Sequence, residues 1–474
     1  DLQGGTISSG ISVRTTGGNG SIGPSLAVPW TTTNFGLISS ETPGTELFLV
    51  DGSNNIFNNY GTLRALSGQL RAAARVNNFG SIEVLGGSFI LGAGWTNSGS
   101  INLLGGSLSV GGSFTRASLG NFTHQNGGLL NVIGAYDNTG DSIAISASQP
   151  WGLGDGGSIS GGAINSIDGT PLLESGNATL SNATLVADIN ITKGRLTLDN
   201  VPLTGRQVVV TGSLTTGTTG PSQLKIPWTG TLDNDTIILE GSGIANQVVP
   251  TGAGSLTLSP GTTIRNHNGP GQIGGASNGI RSQGHVSADG TAMIVLANAL
   301  DNQGTFEAKN GGFLRVDVST TDGWVNRAGG TISGTNVLNA TLTGGTWNLN
   351  NGSFDMRRST FAKNAASVSI SGASSRFLAL GPLNENAGYL NFDAGFDFST
   401  AAALTNSGLL RIGDASDLSV TTSLLLSSGS ELDLLLGGTG TEQFGQIQVT
   451  QGHFKQPFIK THIILRGPQL LARV

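Results

Sequence analysis

Short runs in which every second residue is apolar recur along this chain, among them Ser81-Ile82-Glu83-Val84-Leu85 and Ser100-Ile101-Asn102-Leu103-Leu104. Such alternation predicts strands with one buried face, because successive strand side chains point to opposite sides. The runs sit inside a repeat. Asn59-Tyr60-Gly61-Thr62-Leu63, Asn78-Phe79-Gly80-Ser81-Ile82 and Asn97-Ser98-Gly99-Ser100-Ile101 start 19 residues apart. A second mark keeps the same step, at Ser67-Gly68-Gln69-Leu70, Gly86-Gly87-Ser88-Phe89 and Gly105-Gly106-Ser107-Leu108. Two independent marks on one period identify a structural repeat. The glycines fall where the chain must turn, since Gly alone enters left-handed backbone regions without steric cost. One repeat therefore reads as strand, Gly turn, strand, Gly-Asn turn: one coil of a β-solenoid. Residues 63–76 are rich in Leu, Arg and Ala, a helix-forming composition. Asn59 and Gly68 nevertheless hold the register of the later copies, so strand and turn are expected there too.

Three regions follow. Residues 1–50 are expected to form entry coils or a cap, with Pro24, Pro29 and Pro43 breaking the register; a bare solenoid end is an open sheet edge and needs covering. Residues 51–452 form the solenoid, with irregular insertions around 135–300. Gln207-Val208-Val209-Val210 and Thr236-Ile237-Ile238-Leu239 read as strands buried on both faces. Residues 266–290 are Gly-rich and weakly patterned, and are expected to form a long loop or lateral insertion. The motif returns at Asn302-Gln303-Gly304, Asn386-Ala387-Gly388 and Asn406-Ser407-Gly408. Residues 453–474 change character, with four basic residues, and read as a partner-facing tail or as sequence outside the repeat.

Composition narrows the class. Charged residues are only 11% and glycines number 76, yet hydrophobic residues reach 37%, so an ordered β protein fits better than a disordered chain. A net charge of −6 leaves no basic footprint for nucleic acid. With no Cys there is neither a disulfide framework nor a thiolate metal site. No apolar run has membrane-spanning length, and no charged-then-apolar signal opens the chain, so a mature or truncated product is expected. The fold class is all-β: a single right-handed parallel β-helix of about 20 coils, each about 19–20 residues. Its length would be roughly 100 Å at about 4.8 Å per coil.

The Asn-x-Gly-[Thr/Ser]-[Leu/Ile] marks, the Gly-Gly-Ser turns and the ending Gly429-Ser430-Glu431-Leu432-Asp433-Leu434 through Gln446-Ile447-Gln448-Val449-Thr450 resemble a known family. They are similar to the right-handed β-helix passenger domains of autotransporter-type and haemagglutinin-type bacterial surface proteins. The likeness covers residues 51–134 and 300–452. It implies an adhesin-like, extracellular or cell-surface location with the signal peptide already removed.

Candidate chemistry is sparse. Gly269-Pro270-Gly271-Gln272-Ile273-Gly274 fits a dinucleotide pattern, and Gly275-Ala276-Ser277-Asn278-Gly279 a nucleophile elbow. Neither has the helix that would give it meaning, and such matches arise by chance at this Gly content. His124, His267, His285, His453 and His462 lack metal-ligand spacing. Asp233-Asn234-Asp235 and Asp414-Ala415-Ser416-Asp417 read as solvated turns rather than calcium sites. Asp393 and Asp397, placed on one strand face, would stand about 13 Å apart, too far for a glycosidase pair at roughly 5–9.5 Å. Trp30, Trp151 and Trp228 each follow a Pro, which belongs at an edge, corner or loop. They either pack over the solenoid or offer an aromatic face to sugar rings or a partner. Asn59, Asn78 and Asn97 are expected to stack as a turn ladder. No metal and no cofactor are expected.

The functional reading is a secreted or surface structural and adhesive protein. It would bind glycans or neighbouring surface subunits without turnover. A polysaccharide lyase or glycoside hydrolase with groove carboxylates is second, and a self-associating fibre or sheath subunit third.

Overall fold

The structure, a computed structural model, describes all residues except 1–4, 24–30, 50–54, 74, 212–220, 227–229, 242–244, 251–253, 276, 319–323, 327–329, 333–339, 357–358, 436–442, 453, 456–461 and 467–474. It is nearly all β, with 59% strand and 2% helix, and its parallel coils make about 17 turns of a β-solenoid. The chain divides into two compact units, Asp1–Pro202 with Ser222–Lys225 and Leu203–Pro221 with Ile226–Val474. The count falls short of the expected 20 because the 19-residue step is not kept. Equivalent positions are 25 residues apart at Asn34 and Asn59, and Phe306 pairs with Trp347 across a much longer excursion. Lengthening the connections between stacked strands carries little entropic cost.

In the first unit one coil is three strands, Ile56–Asn59, Thr62–Ala65 and Gln69–Ala72. Each pairs in parallel with its counterpart one step on: Arg75–Asn78, Ser81–Val84 and Ser88–Leu91. The described residues of 63–76 are therefore strand and turn, as their register requires. Inward side chains form continuous rows. Ile38, Leu63, Ile82 and Ile101 are register neighbours and all buried, as are Leu70, Phe89, Leu108 and Leu130. Each such side chain contributes about 1.5–3 kcal/mol by leaving water. Described strands among the first fifty residues join the same stack, Gly5–Ile7 pairing with Thr32 to Asn34 and Ser12–Arg14 with Leu37 to Ser39. A four-residue helix, Arg116–Leu119, is capped by Thr115, whose side chain accepts from Ser118 N.

One corner carries the Asn-x-Gly mark, and both of its fixed residues have a reason. A Cβ at Gly80 would lie 2.2 Å from Gly61 O, so the coils approach too closely for any side chain. The Asn side chains turn inward and bond coil to coil. Asn34 Nδ2 donates to Asn59 Oδ1 at 2.8 Å, Asn59 to Asn78 at 2.7 Å and Asn78 to Asn97 at 2.6 Å. Asn97 ends the row by donating to Leu119 O at 2.7 Å.

The second unit repeats the scheme. Asn364 Nδ2 donates to Asn386 Oδ1 at 2.8 Å, and Asn386 to Asn406 at 2.7 Å. Residues 266–290 are not the loop expected from sequence. Gly271–Gly274, Gly279–Ser282 and His285–Asp289 pair in parallel with the coils on either side. Their alternation is hidden because glycine takes up part of the inward face. A Cβ at Gly271 would meet Leu239 Cδ1 at 2.8 Å, while Ile273, Ile280 and Val286 supply the burial. Within residues 453–474 the structure describes two strands. Phe454–Lys455 pairs with Leu424 and Leu425, and His462–Arg466 with Glu431–Leu435, so both strands continue the repeat.

Asn78→Ala takes an acceptor from Asn59 and a donor from Asn97, and is expected to cost roughly 1–3 kcal/mol. Asn102 makes only 3.4 Å contacts to the Ser81 and Ser100 hydroxyls. Asn102→Ala should stay within about 0.5 kcal/mol of the parent. Urea midpoints of the two variants check the difference.

Candidate functional site

The corner that turns Asn inward turns its neighbour outward. Between Asn and Gly stand Phe35, Tyr60 and Phe79 in three successive coils, exposed by 47%, 49% and 46%. Their rings stack, with centroids 5.1 Å apart and planes 16° apart for Phe35 and Tyr60. For Tyr60 and Phe79 the values are 4.7 Å and 13°. The corner continues at Ser98, whose N–H bonds Asn78 O, and begins at Ser8, beside Ile7, whose carbonyl takes the Phe35 N–H. Small residues thus flank both ends of the stack. Sequence reasoning noticed the marks but not what fills their middle position, which is legible as Asn-Phe-Gly, Asn-Tyr-Gly, Asn-Phe-Gly.

The tryptophan candidates fare differently. Trp151 pairs in register with Leu130 and is buried, its ring 5.6 Å from Tyr136 and 6.3 Å from His124. It packs in the core and offers no face to a ligand, because the strand Trp151–Leu153 continues the inward rows. Trp30 and Trp228 lie outside the described residues.

Among the described residues, shallow grooves mark the walls of both units. One of about 590 Å³ runs along the Gly-Ser corner past Gly68, Gly87 and Gly106, with Glu46 and Gln69 beside it. A second, about 660 Å³, lies by the short helix among Thr115, Asp137, Thr139 and Asn182. A third, about 580 Å³ and in the second unit, is more apolar, with Phe313, Met356, Leu378 and Arg376 among its walls. Each holds a single carboxylate.

The acids elsewhere have structural roles. Asp393 and Asp397 do not share a strand face, since the chain turns at Ala394 and Gly395, both with positive φ (52° and 82°). Asp393 Oδ1 accepts from Ala394 N and Asp414 N, and Asp397 Oδ1 from Asp417 N. Burial raises the Asp417 carboxyl above its usual range, and Asp397 adds to the effect. Asp235 is buried rather than solvated, accepting from Arg206 N and Asp233 N at 2.9 Å each. Burial outweighs those bonds and raises its carboxyl.

Glu307 has the densest surroundings, with His285 Nε2 at 3.2 Å, Lys309 Nζ at 2.9 Å and Ser287 Oγ donating at 2.8 Å. His285 is the largest influence, and together they hold the carboxyl down to about 2. Such a carboxylate stays ionised at neutral pH and has no proton to donate. Ser287 and His285 both face Glu307 rather than each other, which is not a hydrolase relay. Glu174 is the opposite case, wholly buried between Leu153 and Ile191 in register. Oε1 accepts from Gly176 N at 2.8 Å, and Oε2 has no hydrogen bond. Burial pushes it up to about 8, a value that suits a general acid, but the core seals it from any substrate.

Gly271–Gly274 is a strand rather than a phosphate-binding turn, and Ser277 lies in a turn before the strand Gly279–Ser282. Among the described residues no group of three or more His, Cys, Asp or Glu converges to hold a metal ion, and no helix is long and apolar enough to cross a membrane. Comparison with protein families, with curated proteins and with solved structures finds no match.

Glu174 gives the fold a pH dependence of known sign. Its folded value lies above its ordinary 4.5, so the stability tied to it is full below pH 4.5 and is lost as pH rises through about 8. Glu174→Gln should remove that slope. At pH 7 the variant is expected to gain roughly 3 kcal/mol over the parent, at about 1.4 kcal/mol per unit. Denaturation midpoints between pH 5 and 9 check this.

Proposed function

We propose that this protein is a secreted or cell-surface β-solenoid that binds glycans or neighbouring surface subunits without turnover. The observation that carries the reading is the exposed ring stack of Phe35, Tyr60 and Phe79. Aromatic side chains are costly to leave in water, and a buried Asn ladder holds these three in place before any ligand arrives. The open ring faces at the two ends of the stack, beside Ser8 and Ser98, suit the C–H face of a sugar or an apolar side chain. Single contacts of this kind are weak, and many molecules displayed together on a surface gain avidity from them. The groups that could run acid-base chemistry support binding over catalysis. Glu307 is held ionised and Glu174 is sealed.

A polysaccharide-active reading has one foothold. Asp397 and Asp417 stack on neighbouring coils, and the Asp417 carboxyl is raised. Asp417→Asn separates the two readings. Binding without turnover expects no reducing ends or unsaturated products from a polysaccharide panel, in parent or variant. Release that disappears in Asp417→Asn would place the protein among the enzymes.

On a glycan array, or against cells displaying the protein, Tyr60→Ser is expected to weaken binding about tenfold, the effect of losing roughly 1.4 kcal/mol of ring contact. The thermal midpoint should hold, because the ring lies outside the core. Unchanged binding in both Tyr60→Ser and Phe79→Ser would remove the aromatic corner from the account.

A further inference from the structure

The corner that joins the first and second strands of each coil does not end with the ring stack. It carries Phe35, Tyr60, Phe79 and Ser98 on successive turns. On the next turn Asn97 donates to Leu119 O, so the helix Arg116–Leu119 rests directly on the end of the asparagine row. Beyond that helix the corner opens into the groove of about 660 Å³. Thr115 and Ser118, whose hydroxyls are bonded at 3.2 Å, form its near end. Its floor is low at Ala135 and Gly161, and a Cβ at Gly161 would meet the Thr139 hydroxyl at 2.5 Å. Its walls hold polar groups with bonding capacity to spare. The Ser113 and Ser160 hydroxyls bond to no described residue. Asn182 Oδ1 accepts from Asn200 Nδ2 at 2.7 Å, which leaves the Asn182 amide N–H groups to donate. Asp137 Oδ1 accepts from Thr139 N at 3.0 Å, and the Thr139 hydroxyl and N–H together hold this exposed carboxyl below its usual range. A carboxylate accepts about four bonds, so most of its capacity is left. Asp141 stands on the same corner, accepting from Ser142 N at 2.8 Å. The cation of the helix, Arg116, is turned aside over the Phe122 ring, 5.5 Å from its centroid.

We propose that the groove and the ring stack are two stations for one ligand, an uncharged oligosaccharide lying along this corner of the first unit. This assignment rests on the glycan reading of the ring stack and adds to it a second station and a charge preference. A sugar hydroxyl donates and accepts at once, and the groove asks for both: Asp137 can only accept, the Asn182 amide N–H groups only donate, and Ser113 and Ser160 do either. An acidic sugar would bring its charge against Asp137 and Asp141, with Arg116 engaged elsewhere. An apolar side chain could lie on the rings but would leave the groups of the groove unpaired. The path between the stations is open, because Ala117 and Ser118, exposed on the single-turn helix, are small.

Titration calorimetry of the full chain tests it, with neutral gluco-, manno- and N-acetylglucosamine oligosaccharides of increasing length and uronic-acid oligosaccharides of matched length. A neutral series is expected to bind and to tighten about tenfold once a chain reaches both stations. The uronic-acid series should bind at least about fivefold more weakly at low salt, a gap that narrows as salt is added. Ser160→Gln, which fills the groove, should weaken long neutral chains about tenfold. Tyr60→Ser should remove the gain with length and leave short chains bound. Asp137→Asn keeps an acceptor for Thr139 and should bring the acidic series to within about twofold of the neutral one. Circular dichroism and the thermal midpoint monitor folding, and both groove positions lie on the outer wall. Uronic-acid chains bound as tightly as neutral ones would overturn the proposal. So would Ser160→Gln and Asp137→Asn variants that both bind like the parent. If Tyr60→Ser still weakens binding in that case, the rings alone are the site and the glycan reading stands without the groove. No binding by any series would remove both.

Discussion

Everything in this structure depends on coil-to-coil register. Apart from the antiparallel pair Trp324–Asn326 and Gly330–Ile332, the described strands bond in parallel with strands of neighbouring turns, so their main-chain groups are satisfied only while the coils stay aligned. A slip of one residue would bring the inward row of Leu63, Ile82 and Ile101 to the surface and bury Arg64, Glu83 and Asn102 in its place. Arg64 and Glu83, bonded at 2.8 Å on the outer wall, would then need partners in an apolar interior. Apolar burial alone does not choose among registers of a featureless alternating strand. The corner does, because Asn59, Asn78 and Asn97 bond in line only when the coils are in step, and Gly61 and Gly80 permit the approach.

The same corner joins stability to the proposed function. Inward amide and outward ring are adjacent residues, so an ordered ladder behind makes an ordered stack in front. A ring stack on a mobile loop would lose side-chain freedom on binding; here much of that cost is met when the coil forms. Function on such a scaffold is expected where the repeat is decorated or interrupted. Phe35, Tyr60 and Phe79 decorate it, and the short helix Arg116–Leu119 interrupts it.

Much of the fold was legible because two marks on one period constrain both corners of a coil at once. Strands across 59–110 and the asparagine row follow from that alone. Residues 266–290 were illegible for a physical reason: Gly271 fills an inward position where a side chain would collide, which erases the alternation. The coil count was overestimated because the step between stacked strands is not constant, 25 residues from Asn34 to Asn59 against 19 from Asn59 to Asn78. Of the candidate site, the aromatic corner was present in the marks but depended on knowing which way the middle residue points. Trp151 was ambiguous between core and surface until its register with Leu130 placed it inside. The pairing of Asp397 with Asp417, and the meeting of Asp137, Ser160 and Asn182 in one groove, needed coil alignment that no local pattern supplies.

The chain contains no cysteine, so register can be read by introducing two. Ser81 and Ser100 are register partners with hydroxyl oxygens 3.3 Å apart on the outer wall. Ser81→Cys with Ser100→Cys should oxidise rapidly to an intramolecular disulfide without loss of strand signal, since the geometry lies within bonding reach. Ser81→Cys with Asn102→Cys, two residues out of step on the same face, should crosslink far more slowly. Equal rates for the two pairs, or faster closure of the second, would contradict the 19-residue register on which the account rests.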